Sequence, residues 1–272
     1  MSTVCGREFG DGVRTELQNA GFSYRQACEL LDWDHAKLSD MCNGKGGVSE
    51  VEVAMVLGLC RTAPDTRDRL LGLFQESREV GLLQLYESVV PEQVQTLIKH
   101  EKLATASAAW NMNIIPGLLQ VPRYVDAIVR SSVAVPSANV DELIAARIAR
   151  REILRGQCHF TFYIHEQALH LPVGGYDVLS EQLHDLLQML VRPYINVRIV
   201  PTVIGAHPAT SGDFRMMTFE KFTPVVYLES LNSELFLDDK ASIDLYEKVL
   251  EALDQIALSV EESREVIISI VT

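Results

Sequence analysis

The chain is short of positive charge. Its 272 residues hold 24 Lys and Arg against 37 Asp and Glu, a formal charge of −13 at pH 7. A deficit of this size excludes a generally basic nucleic-acid coat protein and lowers non-specific DNA affinity. Long apolar runs are also missing. The best, Val53–Cys60, falls far short of the ~18 residues a membrane-spanning helix needs. The opening MSTVCGREFGDG has neither the basic nor the apolar segment of a secretory signal, so a cytoplasmic protein with no membrane partner is expected. The five cysteines are odd in number and include no C-x-x-C pair. That predicts reduced thiols, with no disulfide framework, metal site or cofactor. Gly/Ser-rich linkers, internal repeats and low-complexity tracts are absent. The 47% hydrophobic content excludes global disorder.

Catalytic signatures are scarce. There is no G-x-S-x-G and no G-x-G-x-x-G. Gly44-Lys45-Gly46-Gly47 lacks the upstream glycine and following Ser/Thr of a phosphate-binding loop. His165-Glu166-Gln167-Ala168-Leu169-His170 spaces its histidines one residue too far for a zincin. At about 100° per residue, an i,i+5 pair diverges by roughly 140° around a helix, so both rings cannot face one metal. A non-enzymatic protein is expected.

What is present begins with short helices. Val13, Leu17 and Ala20 mark one over Phe9–Gly21. Ser23 caps a second to Leu31, and Asp34 a third that stops at Asn43-Gly44. Ser49 with Glu52 opens a fourth, and Pro64 a fifth running towards Val80. Beyond a helical junction near Gly81 the pattern is mixed. Helices are expected over Pro91–Ala109, from Pro122, and over Val140–Arg155, Asp177–Leu190, Ser242–Ala257 and Glu261–Ile270. Strands are expected at His159–His165, Ile195–Val200, Phe214–Phe219, Val225–Glu229 and Glu234–Leu237. The division is an all-α five-helix domain over residues 1–81, then an α+β domain over 82–272 with a mixed sheet and flanking helices.

Residues 21–49 have the spacing of a helix-turn-helix, in which two short helices at a steep angle present the second to the major groove. Gly21-Phe22-Ser23, Leu31-Asp32-Trp33, Lys37-Leu38-Ser39 and Asn43-Gly44 resemble, without a gap, the XRE family of Cro/repressor-like helix-turn-helix regulators. The rest of the chain resembles the long domain that follows this motif in a set of actinobacterial regulators. That likeness is carried by Ile115-Pro116-Gly117-Leu118-Leu119-Gln120, Arg123-Tyr124, Arg147, Arg150-Arg151, Val173-Gly174-Gly175 and Gln182-Leu183. Val200-Pro201, Gly205-Ala206-His207-Pro208, Gly212-Asp213-Phe214, Tyr227-Leu228-Glu229 and Leu258–Ser263 complete it. Such proteins are sometimes described as antitoxin-like, because a small partner protein is often encoded beside them.

The resemblance implies a DNA-binding transcriptional regulator. The exposed candidates on the second helix of the motif are His35, Ala36, Lys37, Ser39 and Asp40. Tyr24, Arg25 and Lys45 are placed to meet phosphate. The sequence departs from the family here: Asp40 stands where an arginine is usual, and no basic cluster follows Asn43-Gly44. Residues 1–80 hold nine Lys/Arg against thirteen Asp/Glu, leaving the reading head at −4. One motif reads few base pairs, so a homodimer on double-stranded DNA is expected. The second domain is expected to dimerise and to sense a small-molecule effector or a small neighbour-encoded protein. Arg147, Arg151, His207, Phe214 and Tyr227 are its candidate contacts, with Glu142 and Glu152 the default partners of the arginines. The alternative is an antitoxin-like protein-binding scaffold with weak or lost DNA binding.

Overall fold

The computed structural model describes residues 3–77, 82–85, 95–156 and 158–272. Contacts divide the chain into two units. The first is Met1–Leu83 with Lys221–Val225 and Phe236–Lys240; the second is Gln84–Glu220, Val226–Leu235 and Ala241–Thr272.

Among the described residues, five helices build the first unit: α1 (Val4–Asn19), α2 (Tyr24–Leu31), α3 (His35–Cys42), α4 (Glu50–Leu59) and α5 (Pro64–Glu76). Local chemistry sets their starts. The Thr3 hydroxyl accepts from the Gly6 amide, so α1 begins five residues earlier than its apolar stripe suggests. Ser23 with Gln26 and Ser49 with Glu52 form reciprocal capping boxes. Asp34 caps α3, and Pro64 opens α5. The buried faces meet in one core of Phe9, Val13, Leu17, Ala27, Leu38, Met41, Val53, Val56, Leu57, Leu70 and Phe74. Between α2 and α3 the chain reverses through Asp32, in the left-handed region at φ 55°, and the Trp33 amide donates to Cys28 O. A non-glycine residue there carries a steric cost, which aspartate bears better than most.

Glycines bring α1 against the end of α3. A Cβ on Gly10 would sit 2.4 Å from Cys42 O, and one on Gly44 would sit 2.1 Å from Gly6. Gly44 also holds φ +62°. Arg14 closes the same junction: its Nη2 donates to Cys42 O at 2.8 Å, a cation at the carbonyl end of α3.

The described residues form seven strands: β1 (Leu82–Leu85), β2 (Ala106–Asn111), β3 (His159–His165), β4 (Ile195–Val200), β5 (Phe214–Thr218), β6 (Val225–Glu229) and β7 (Ser233–Leu237). Their order in the sheet is β1-β7-β6-β5-β2-β3-β4. β2 pairs parallel with β3 and antiparallel with β5, and β3 pairs parallel with β4, so the sheet is mixed. Parallel neighbours need long crossovers. These are supplied by α7 (Pro122–Ser131) and α8 (Val140–Ala149) between β2 and β3, and by α9 (Tyr176–Met189) between β3 and β4. Trp110, Phe160, Phe162, Ile164, Val197 and Ile199 are buried, and the two phenylalanine rings stack 5.9 Å apart. α6 (Gln95–Leu103) precedes β2, and α10 (Lys240–Ile256) and α11 (Val260–Val271) close the chain. Ser259 caps α11 as its sequence suggests.

Two expectations fail. The helix expected over Pro91–Ala109 ends at Leu103, with its first residues, 91–94, outside the described set. Ala106–Asn111 is instead a strand, because pairing on both sides overrides the helix preference of alanine. The helix expected over Val140–Arg155 tightens at Ala149 into a 3-10 turn over Arg150–Arg155. The tighter turn directs Arg150 and Arg151 to partners on different elements. The junction expected near Gly81 lies outside the described residues, and Leu82–Leu85 beyond it is extended.

At the heart of the second unit Glu101 is 3% exposed and holds the buried Arg215 and the largely buried Arg150. Arg150 Nε lies 2.9 Å from its carboxylate, and Arg215 pairs with its other oxygen. One carboxylate thus ties α6, the 3-10 turn after α8, and β5. Replacing it leaves two desolvated cations. Glu101→Gln is expected to cost about 3–5 kcal/mol, read as a lower denaturant midpoint of the full chain. Gly44→Ala is expected to cost about 2 kcal/mol or more, from overpacking plus the positive φ; a thermal melt without any loss of midpoint would contradict the α1–α3 contact.

Candidate nucleic-acid interface

α3 presents its leading end to solvent. His35 and Ala36 are exposed, and Ser39 and Asp40 are half-buried. Leu38, Met41 and Cys42 face the core. Asp34, the cap of α3, spends one oxygen on the Lys37 amide at 2.8 Å.

The cations are less free than their spacing suggests. Lys37 Nζ forms an ion pair with Glu52 Oε1 and lies 4.6 Å from the centre of the Trp33 ring. Glu52 divides its carboxylate: Oε2 accepts from the Ser49 amide at 2.7 Å and hydroxyl at 3.0 Å, while Oε1 holds Lys37. The Lys37 bond, followed by the bonds from Ser49, pulls the Glu52 carboxyl down to about 2. A depressed carboxyl stabilises fully above its unfolded value, and that contribution fades only as pH falls through about 2. The pair therefore stands throughout the neutral range. Lys45 pairs with Asp40 at 3.0 Å, and Arg25 with Glu29 at 2.9 Å. Tyr24 is half-buried: its hydroxyl accepts from Arg14 Nε at 3.3 Å and its ring lies 5.8 Å from His35.

Glu52 was legible only as a capping residue. Its second role depends on a lysine fifteen positions away, which no local spacing reveals. Arg14 was not singled out either; its partners at the end of α3 are set by the fold.

Of the second unit's five candidates, three come together. Arg147, Phe214 and Tyr227 line a cavity of about 500 Å³. Arg147 lies 3.6 Å from Glu229, and the Tyr227 hydroxyl donates to Glu234 Oε1 at 2.9 Å. Burial pushes the Tyr227 hydroxyl well above its usual value. Arg151 is elsewhere, paired with Asp185 at 2.6 Å. His207 packs edge-on against Trp110 at 5.1 Å, and its Nδ1 accepts from the Ala209 amide. The default partners of the arginines are not the ones they take: Glu152 is bound to Arg155. Gln120, also on the cavity wall, was quoted only within a longer matching stretch.

The pseudo-zincin histidines belong to different structures, His165 ending β3 and His170 following a 3-10 turn, while Glu166 accepts from the Thr202 amide. Among the described residues, no group of three or more His, Cys, Asp or Glu is placed to hold a metal. No helix among them is long and apolar enough to cross a membrane. None of the five cysteines is in a disulfide.

Comparison with known families gives two matches. Residues 8–70 match a helix-turn-helix domain, which points to a DNA-binding regulator. Residues 94–269, more than half of the chain, match a domain of unknown function, DUF5753. Neither a curated protein nor a solved structure matches the chain. The chain therefore belongs to the DUF5753 family, and carries that domain behind a helix-turn-helix domain.

Proposed function

We propose that this protein is a transcriptional regulator of XRE type that reads double-stranded DNA as a homodimer. The second unit provides dimerisation and receives a small ligand or small partner protein. The observation that carries the reading is the α2–α3 pair itself. α3 is capped by Asp34, anchored to α1 through Gly44 and Arg14, and open at His35 and Ala36. Helix-turn-helix proteins place this end of the second helix at base edges, and dimers set two such ends about 34 Å apart. His35, Ala36, Ser39 and Asp40 are assigned to bases, and Lys37, Arg25, Tyr24 and Lys45 to the phosphate side.

The ion pairs shape how that binding behaves. Each phosphate met by a cation releases counterions, and a cation already held by a carboxylate contributes less. Glu52→Gln keeps the capping box, since glutamine serves at that position, and sets Lys37 free. The variant is expected to bind mixed-sequence duplex several-fold more tightly at ~50 mM salt, with a salt slope steeper by about 0.9. Lys37→Ala in the Glu52→Gln background is expected to reverse both changes. Identical slopes in all three proteins would remove Lys37 from the interface. Light scattering of the full chain is expected to give a two-chain species. A monomer that releases duplex at ~50 mM salt, yet co-purifies with a small partner, would favour the antitoxin-like scaffold.

A further inference from the structure

We propose that the cavity of the second unit binds a small α-amino-acid zwitterion with an apolar side group, free or as the end of a short peptide. Its carboxylate meets Arg147, and its ammonium meets Gln120 and Glu229. The proposal deepens the reading above, in which this unit receives a small ligand. The cavity's size, about 500 Å³, falls within the range of small-molecule sites.

Two wall groups lack what a ligand would supply. Gln120 is 1% exposed. Its Nε2 donates to Ile115 O at 2.8 Å, which fixes the amide orientation and leaves Oε1 buried without a partner. The loop that carries it is held from behind: Gln182 accepts from the Val121 amide and donates to Leu119 O. Gln120 therefore cannot readily turn away to find another donor. Arg147 Nε is likewise buried without a partner. The residue's contact with Glu229 is made by Nη2, and at 3.6 Å it is too long for a hydrogen bond. A buried acceptor asks for an N–H or O–H, and a buried guanidinium nitrogen asks for an anionic oxygen.

The charge around the cavity decides what kind of molecule offers both. Arg147, Arg150 and Arg215 line it, against Asp213, Glu229 and Glu234. Arg150 and Arg215 are already held by Glu101. Asp213 accepts from the Met112 amide and Asn111, and Glu234 from Tyr227. What remains is one loosely engaged pair, Arg147 and Glu229. A phosphate dianion would meet more acid than free base. A zwitterion brings one charge for each partner. Leu97, Ile114 and Ile128 on the wall give its side group an apolar seat.

The test is calorimetric titration of the full chain with the twenty L-amino acids and a set of apolar dipeptides, without DNA. At least one zwitterion is expected to bind saturably. Its analogues lacking the amine or the carboxylate, such as 3-phenylpropionate and phenethylamine for phenylalanine, are expected to bind about 10-fold or more weakly. Tighter binding of dipeptides than of amino acids assigns a peptide source. Arg147→Met, with its fold verified by thermal melt, is expected to bind zwitterion and amine alike; Arg147→Lys is expected to recover part of the difference. The proposal is overturned if no zwitterion binds, if phenyl phosphate binds as well, or if Arg147→Met binds as wild type. Loss of duplex binding or of the dimer would count against the regulator reading and leave this test intact. A ligand that binds without changing duplex affinity would leave the site standing and remove its role as a signal.

Discussion

Lys37 is claimed by two anions, the carboxylate of Glu52 within the protein and the phosphate it is proposed to meet. How strongly Glu52 holds it governs the character of the whole reading head. Exposed ion pairs are worth only about 0–1 kcal/mol, because water screens the charges and two long side chains must be ordered. Arg25–Glu29 and Lys45–Asp40 are of that kind, with every partner about half exposed or more. Their cations can swing to phosphate at little cost. Lys37 and Glu52 are each 30% exposed or less, Lys37 lies over Trp33, and Glu52 is oriented by the start of α4. This pair is the firmer one, so it fixes α3 against α4 as much as it tempers charge. In the proposed complex the acids around the outer cations oppose phosphate by repulsion, whereas Glu52 opposes it by prior occupation.

The second unit treats its arginines the same way. Glu101 is shared between Arg150 and Arg215, Arg151 reaches Asp185, and Arg198 is bound to Asp254 and to three backbone carbonyls at the end of α10. Carboxylates outnumber cations in this chain, and these arginines work as cross-links between elements distant in sequence. The buried pairs on Glu101 gain little over an apolar core of the same shape, but breaking one is expensive. They favour one arrangement over near alternatives. Arg147 departs from the pattern, with a long contact and an unpartnered nitrogen, and it stands on the wall of the cavity.

The helical unit was largely legible because its signals are local. Ser23 with Gln26, Asp34, and Ser49 with Glu52 announce helix starts within three residues, and the apolar periodicity gives the buried faces. β2 was not legible, since Ala106-Ser107-Ala108-Ala109 reads as helix and becomes strand only when β3 and β5 flank it. The arginine partners were hidden for a related reason. Arg150 meets Glu101 49 positions away, and Arg215 meets it across 114. The cavity was half visible: Arg147, Phe214 and Tyr227 stand out by residue type. Gln120 does not, because its significance is an unmade bond.

The charge of −13 bears on what sort of DNA reader the proposed regulator is. Non-specific affinity comes almost entirely from phosphate neutralisation, and specific affinity adds base contacts to it. A reading head that is itself acidic, with its best-placed lysine held by Glu52, gives up the first term more than the second. Fewer chains are then lost to the excess of competing sites, and the ratio of specific to non-specific binding rises even as both constants fall. In the proposed homodimer the missing affinity comes from two heads bound together, since joining them raises the local concentration of the second without any new contact. On the proposed reading, an acidic head makes binding depend on the geometry of that dimer, and any change the second unit made to it would reach DNA at full strength.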